Sequence, residues 1–315
     1  MRALHVPLAG EQPRLGELPV PTVADGTVLV RVKAAGLNPI DNVIAGGFMA
    51  GMVPHEYPLV LGRDAAGVVA AVGAGVDHVK PGDEVFGHVL IAPPIQAGTL
   101  AEYALLPAVS VVLKPTGLSF VEAAALPLSA AAASQAVEAV DPQPGQVVLV
   151  NGASGGVGSY AIQLLAARGA TVVATGTGAD AERLTTLGAG VVIDHAAGPV
   201  AEQVLAAYPD GVDALVNLFG DTNADVPLAA VRKAGVVSSL AMAPDADAAA
   251  EAGLTLTKIM AKAVGQVTGP VAEQAADGSI KVDVQRVVPL EEAAEGLATI
   301  RAGQAKGKIV VTVEN

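Results

Sequence analysis

Residues 147–175 read VVLVNGASGGVGSYAIQLLAARGATVVAT, and few folds accommodate that order. Residues 147–150 are apolar at every position, the pattern of a strand covered on both faces. A glycine-rich turn follows, from Gly152 to Gly158. Val157, Ala161, Leu164 and Leu165 then recur at helical spacing, and Gly169 stands where a helix end favours a left-handed residue. Residues 171–175 form a second buried strand. The stretch predicts one βαβ unit with its glycines at the strand-to-helix corner, and therefore a parallel sheet.

That corner has a chemical consequence. Without side chains, the backbone can approach a diphosphate closely, and the first N–H groups of the helix point at it. The hexad Ala153-Ser154-Gly155-Gly156-Val157-Gly158 has the G-x-G-x-x-G pattern with Ala in first place, and in this strand–turn–helix context it predicts a dinucleotide site. The end of the second strand selects the dinucleotide. NAD sites carry an acid there for the ribose 2′-hydroxyl, whereas Thr175, Gly176, Thr177 and Gly178 are neutral. The first acid, Asp180, opens the next helix. With no carboxylate to repel a 2′-phosphate, and Thr177 and Arg183 in reach of one, NADP (NADPH) is the expected cofactor. Asn217 and Phe219 end the fourth strand, and Ser239 and Leu240 end the fifth. Ligands sit at the carboxyl ends of such strands, so these residues are expected to line the nicotinamide half. Tyr160, on the first helix, is read either as packing or as a cofactor contact.

Strands near 147–150, 171–175, 191–194, 212–217, 236–240 and 254–260 alternate with helices, as a doubly wound parallel sheet requires. Residues 1–120 differ. The run VLVRVK (28–33) alternates, and short strands punctuated by Gly and Pro over 67–85 predict a small β-barrel. Pro107, Pro115 and Pro127 mark the crossing into an alanine-rich helix over 120–140. The tail returns to the first pattern: a strand over 282–288, a helix over 290–302 and a closing strand over 308–313. The expected domains are 1–120 with 266–315, and 121–265. The chain contains no cysteine, which removes disulfides and cysteine-ligated metals. A net charge of −13 argues against nucleic acid. The longest apolar candidate, 123–137, is broken by Pro127, and the N-terminus lacks a signal-peptide core, so no membrane span and a cytoplasmic location are expected.

Several stretches together carry a resemblance: AAGLNPIDNVIAGG (34–47), PLVLGRDAAGVVAAVGAGV (58–76), VKPGDEVFG (79–87), AEYALLP (101–107), NGASGGVG (151–158) and GKIVV (307–311). The chain resembles, over nearly its whole length, the medium-chain dehydrogenase/reductase superfamily, and within it the zinc-less quinone oxidoreductase group that includes zeta-crystallin. The resemblance implies a chaperonin-10-like β-barrel catalytic domain, a Rossmann domain, NADPH, and a homodimer formed through the Rossmann domains. It also implies reduction of a quinone or an α,β-unsaturated carbonyl by hydride transfer. Zinc-dependent relatives carry Cys before the Asp of the first motif and Gly-His-Glu in the second. Here those positions are Asn38, with Asp41 kept, and Gly62-Arg63-Asp64, so no metal site is expected. Val43, Phe48 and Met49 stand where relatives often have tyrosines, and Ala132 where they often have Thr.

The resemblance places Asn38 and Asp41 beside the nicotinamide. Asn38 is a candidate donor to a substrate carbonyl, or an ordinary turn opener before Pro39; Asp41 is a second candidate, or a helix N-cap. Arg63 either stabilises a developing enolate or pairs with Asp64 or a neighbouring loop. Tyr57 is a possible proton donor or a packing residue. The His residues at 5, 55, 78, 88 and 195 lack ligand spacing and read as structural or exposed. Two other readings stay open. One is a reductase of an enoyl thioester or biosynthetic intermediate, its substrate set by a cleft mouth at 47–57 and 91–98. The other is an NADPH-binding protein without turnover.

Overall fold

The computed structural model of the chain describes residues 1–313. Its first strands are β1 (Arg2–Val6), β2 (Arg14–Glu17) and β3 (Thr27–Gly36), followed by helix α1 (Pro39–Ala45). Then come β4 (Leu59–Val60), β5 (Asp64–Val72), β6 (Glu84–His88), β7 (Tyr103–Pro107) and β8 (Val112–Leu113). Helices α2 (Phe120–Ala124) and α3 (Pro127–Val140) precede β9 (Val147–Asn151), α4 (Gly156–Ala167), β10 (Thr171–Gly176), α5 (Ala181–Thr186) and β11 (Val191–Asp194). Next are α6 (Val200–Ala207), β12 (Val212–Asn217), β13 (Val231–Ser239), α7 (Ala246–Glu251) and β14 (Thr255–Lys258). The chain closes with α8 (Gly265–Ala276), β15 (Val284–Pro289), α9 (Ala293–Arg301) and β16 (Lys308–Thr312).

These elements sort into two compact units, Met1–Ala131 with the chain from Lys262 onward, and Ala132–Ala261. The division falls inside α3, not at residue 121. The helix expected over 120–140 is two helices, because Pro127 opens α3; proline suits a first helical turn, where no intrahelical partner awaits its N–H, and breaks a helix interior. Positions 314 and 315 of the expected first domain lie outside the described residues.

The first unit is rich in antiparallel sheet. One sheet runs β15-β16-β3-β5-β6-β8, with β7 also on β3, and a smaller one runs β2-β1-β4. Strand β3 explains the arrangement: in TVLVRVKAAG only Arg31 is exposed, and its apolar positions join the unit's core. The tail enters this sheet through β16, which pairs with Ala34–Gly36 of β3.

The second unit holds a six-stranded sheet in the order β11-β10-β9-β12-β13-β14. All of its pairs are parallel. Strand order grows outward from the β9–β12 pair in both directions, the doubly wound arrangement whose ligand crevice lies at the carboxyl ends of the strands on either side of that reversal. The centre is apolar because it is covered. Val148, Leu149 and Val150 are fully buried, each contributing roughly 1.5–3 kcal/mol. Gly169 takes φ +78° just past α4, as its position in the sequence suggests. Among the described residues no helix is long and apolar enough to cross a membrane.

Candidate functional site

The glycines between β9 and α4 have different tasks. Gly152 turns the chain with φ +81°, a conformation that favours glycine. A Cβ on Gly158 would lie 2.6 Å from the Ala153 Cα, so that glycine lets the helix close on the turn. Gly155, the N-cap of α4, is the opposite case: a Cβ there would meet only the Gly152 carbonyl, at 3.7 Å. It faces open space at a helix N-terminus, a cradle suited to a diphosphate. Ala153 is buried beneath the turn, while Ser154, Gly156 and Val157 are half-buried along it. The buried Ser154 hydroxyl has no hydrogen-bond partner among the described residues. Tyr160 is fully buried within α4.

The corner after β10 is more acidic than its own sequence indicates. Asp180 folds back, its Oδ2 accepting from Thr177 N at 2.9 Å and Thr177 Oγ1 at 2.8 Å. Asp194 ends β11, opposite Gly176 in the parallel register, and its Oδ2 accepts from Gly178 N at 3.1 Å. The expectation of a corner free of carboxylates is therefore corrected. Asp194 is distant in sequence and arrives through strand pairing. Both carboxylates are engaged by N–H or O–H donors. Arg183 lies between corner and turn: its Nη2 donates to Ser154 O at 2.9 Å and is 3.5 Å from Asp180 Oδ1. Gly176 is tightly enclosed, since a Cβ would lie 2.7 Å from Leu184 Cδ1 and 3.3 Å from Ser154 Oγ.

Thr175, Asn217 and Ser239, expected as cofactor contacts, instead bond across the strand ends. Gly152 N donates to Thr175 Oγ1 at 2.9 Å, and Asn151 Nδ2 donates to Asn217 Oδ1 at 2.9 Å. Asn217 Nδ2 donates to Ser239 Oγ at 3.1 Å and to Ala243 O at 2.9 Å. All four side chains are buried. They brace the ends of β10, β9, β12 and β13, and Asn151 is the member that sequence reasoning missed. Phe219 is 63% exposed and Leu240 half-buried, so these two remain open to a ligand.

In the first unit, the expected residues Asn38, Asp41 and Arg63 are all buried. Asn38 caps α1, and Asp41, rather than being the cap, is its third residue; Asp41 Oδ2 accepts from Asn38 N at 2.9 Å. The Asn38 amide is committed at both ends. Its Nδ2 donates to Asp64 Oδ2 at 2.9 Å, and its Oδ1 accepts from Lys308 Nζ at 2.7 Å. Arg63 does not pair with Asp64; its Nη2 donates to Ala97 O at 2.7 Å and Val60 O at 3.4 Å. Asp64 Oδ1 instead lies 2.7 Å from His88 Nδ1 and accepts from Leu128 N at 3.1 Å. Burial governs the ionisation of this group. It pushes Asp41 up to about 7, opposed chiefly by Arg63, and pulls Arg63 and Lys308 below their usual ranges. The geometry thus makes Asn38 a brace for its turn. Tyr57 is half-buried against the core, its ring edge-on to His55 at 6.4 Å. The loops at 47–57 and 91–98 are joined by backbone bonds, Glu56 N to Ile95 O at 3.1 Å and Ile95 N to Pro54 O at 2.8 Å.

Comparison with known proteins agrees with this architecture. A family model described as "Alcohol dehydrogenase GroES-like domain" matches residues 24–116, and one described as "Zinc-binding dehydrogenase" matches residues 187–311. The human NAD(P)H oxidoreductase RTN4IP1, mitochondrial, is 32% identical over 91% of this chain and 81% of its own. The chain belongs to the medium-chain dehydrogenase/reductase superfamily. Among this superfamily's members, the chloroplastic NADPH-dependent alkenal/one oxidoreductase of Arabidopsis thaliana is 31% identical over 93% of this chain and 73% of its own. The quinone oxidoreductase structure from Coxiella burnetii superposes with a TM-score of 0.88 at 26% identity, covering 100% of this chain and 99% of that one. The chain is an oxidoreductase of this superfamily and uses NAD(P)H. The metal in the second family description does not suit the residues present. The chain has no Cys, and the motif positions carry an amide and a guanidinium, with a buried ammonium bonded to the amide.

Proposed function

We propose that the chain reduces quinones or α,β-unsaturated carbonyls with NADPH, without a metal. The observation that carries this reading is the open cradle at Gly155, set at the start of α4 and at the carboxyl end of the central strand. The activities for which the relatives are named supply the acceptor class.

Ala153 to Gly158 would hold the diphosphate, and Arg183, with Thr177 beside it, the 2′-phosphate. Arg183 is the feature that favours NADPH over NADH. Asp180 and Asp194 weaken the preference but do not reverse it, because their oxygens are occupied by local donors. When bound, the nicotinamide supplies a hydride to the electron-poor carbon of the acceptor. The braced strand ends act by positioning within the second unit, and the balancing proton comes from water. Holding reactants in near-attack geometry lowers a barrier by roughly 7–11 kcal/mol, and electron-poor acceptors need little further activation. The same reading takes the chain as a homodimer joined through the second unit, where β14 leaves a sheet edge unpaired among the described residues.

The test is NADPH oxidation followed with 1,4-benzoquinone, 9,10-phenanthrenequinone and a 2-alkenal. Turnover with at least one is expected, and inertness towards all three in a protein that binds NADPH would overturn the reading. A monomeric mass by light scattering would remove the dimer.

A further inference from the structure

We propose that Lys308 is a positioning residue of this reductase, holding the turn at Leu37–Asp41 in register through a closed triangle with Asn38 and Asp64. The proposal rests on the reductase reading above. Lys308 begins β16, in a run that is otherwise apolar through Val311, and is 3% exposed. Its Nζ donates to Leu37 O at 2.9 Å and Asn38 Oδ1 at 2.7 Å, and lies 3.7 Å from Asp64 Oδ2. Asn38 Nδ2 closes the triangle on Asp64 Oδ2 at 2.9 Å.

Only one orientation of the Asn38 amide satisfies this arrangement. Flipped, it would set its NH2 against the ammonium and its oxygen against the carboxylate. Asp64 then extends the order outwards, its other oxygen engaging His88 at the end of β6 and the Leu128 N–H at the start of α3. One carboxylate therefore joins β5, β6, the α1 turn and α3, and Lys308 adds the closing strand.

Such a cluster is a poor way to gain stability. Replacing a buried ion pair with apolar or neutral groups of similar size is often neutral or favourable, whereas removing one partner is costly. A buried ion pair bridged by an amide supplies orientation that an apolar packing contact does not. Stability and positioning can thus be separated by neutralising one partner or both.

The experiment compares the full-length protein with Lys308→Met and with Asp64→Asn/Lys308→Met. It measures thermal unfolding, NADPH affinity by fluorescence, kcat and KM with a quinone, and hydrogen exchange across residues 37–41. Lys308→Met is expected to lower the unfolding temperature and to speed exchange in that segment. The double variant is expected to recover stability while kcat stays about tenfold or more below the unmodified enzyme, with NADPH affinity unchanged. Recovery of kcat together with stability would make the cluster merely structural. Unchanged exchange over 37–41 in either folded variant, or a double variant no more stable than the single one, would also overturn the proposal. If the unmodified protein reduces no acceptor, the reductase reading fails, and the exchange measurement still decides whether Lys308 holds the turn.

Discussion

Asp41 is fully buried, and its Oδ1 has no partner among the described residues. Burial pushes its carboxyl up to about 7, from 3.8 in the unfolded reference. The folded protein therefore keeps a proton that the unfolded chain releases. The stabilising contribution is complete below about pH 4 and is lost as pH rises through neutrality. Its slope reaches at most about 1.4 kcal/mol per pH unit. Asp41→Asn, which can still accept from Asn38 N, should flatten urea-unfolding stability between pH 5 and pH 8, and an unaltered slope would remove Asp41 as its source. Gly155 and Gly158 offer a second contrast. Gly155→Val should abolish NADPH binding with little loss of fold, because only open space receives the side chain. Gly158→Val should destabilise the protein itself, since the Ala153 backbone is in the way. Near-normal NADPH affinity in Gly155→Val would take the turn out of the site. For cofactor choice, Arg183→Ala should weaken NADPH about tenfold, the scale of one charge-assisted hydrogen bond, and NADH much less. Equal losses in fluorescence titrations would mean that Arg183 serves only the Ser154 turn. Gly176→Asp is a poorer probe, because its side chain meets Leu184 whatever its charge.

The side chains across the ends of β10, β9, β12 and β13 form a braced line. Asn217 is its centre, with both ends of its amide used and no exposure. Asn217→Ala should take one partner each from Asn151 Nδ2, Ser239 Oγ and the Ala243 carbonyl, leaving Asn151 Nδ2 only the longer bond to Phe219 O at 3.4 Å and the Ala243 carbonyl its bond from Ser239 Oγ at 2.7 Å, at a cost of about 1–3 kcal/mol. Urea unfolding measures it, and a change below about 0.5 kcal/mol, the level of a surface substitution, would mean that water replaces the amide without loss. Elements of this kind divide into legible and illegible parts. Strands β9 to β12, helix α4 and the glycine corner were readable because each follows from local pattern: mainly apolar runs, helical spacing, glycine at an obligatory turn. The bonds of Asn217, Asp194, His88 and Lys308 were not. Their partners lie far along the chain and meet only through sheet register, which no local window contains. A lysine opening the apolar run GKIVV was the available signal that Lys308 joins Asn38 and Asp64, and a strand-end lysine ordinarily reaches solvent.

At the scale of the molecule, β15 and β16 join the sheet of β3, and the division within α3 left no mark in the sequence, because an alanine-rich run shows no seam. The return carries energetic weight. β16 lies between β15 and β3, and it buries Ile309, Val310 and Val311 beside Lys308. Those three apolar side chains contribute roughly 4.5–9 kcal/mol at about 1.5–3 each, comparable to the whole stability of a domain, about 5–15 kcal/mol. Deleting the chain from Lys308 should therefore unfold the first unit, which loses the strand joining β15 to β3 and leaves Asp64 without its ammonium. The cradle and corner residues all lie between Gly152 and Asp194, within the second unit, and among the described residues β16 pairs with β15 and β3. The truncated protein should accordingly be cleaved rapidly by protease within residues 1–131 and retain NADPH binding, though not turnover. Limited proteolysis with mass mapping, run beside a fluorescence titration, checks both halves. Protease resistance across residues 1–131 equal to that of the full chain would show that the first unit does not depend on its closing strand, and joint loss of both units would show that the second does.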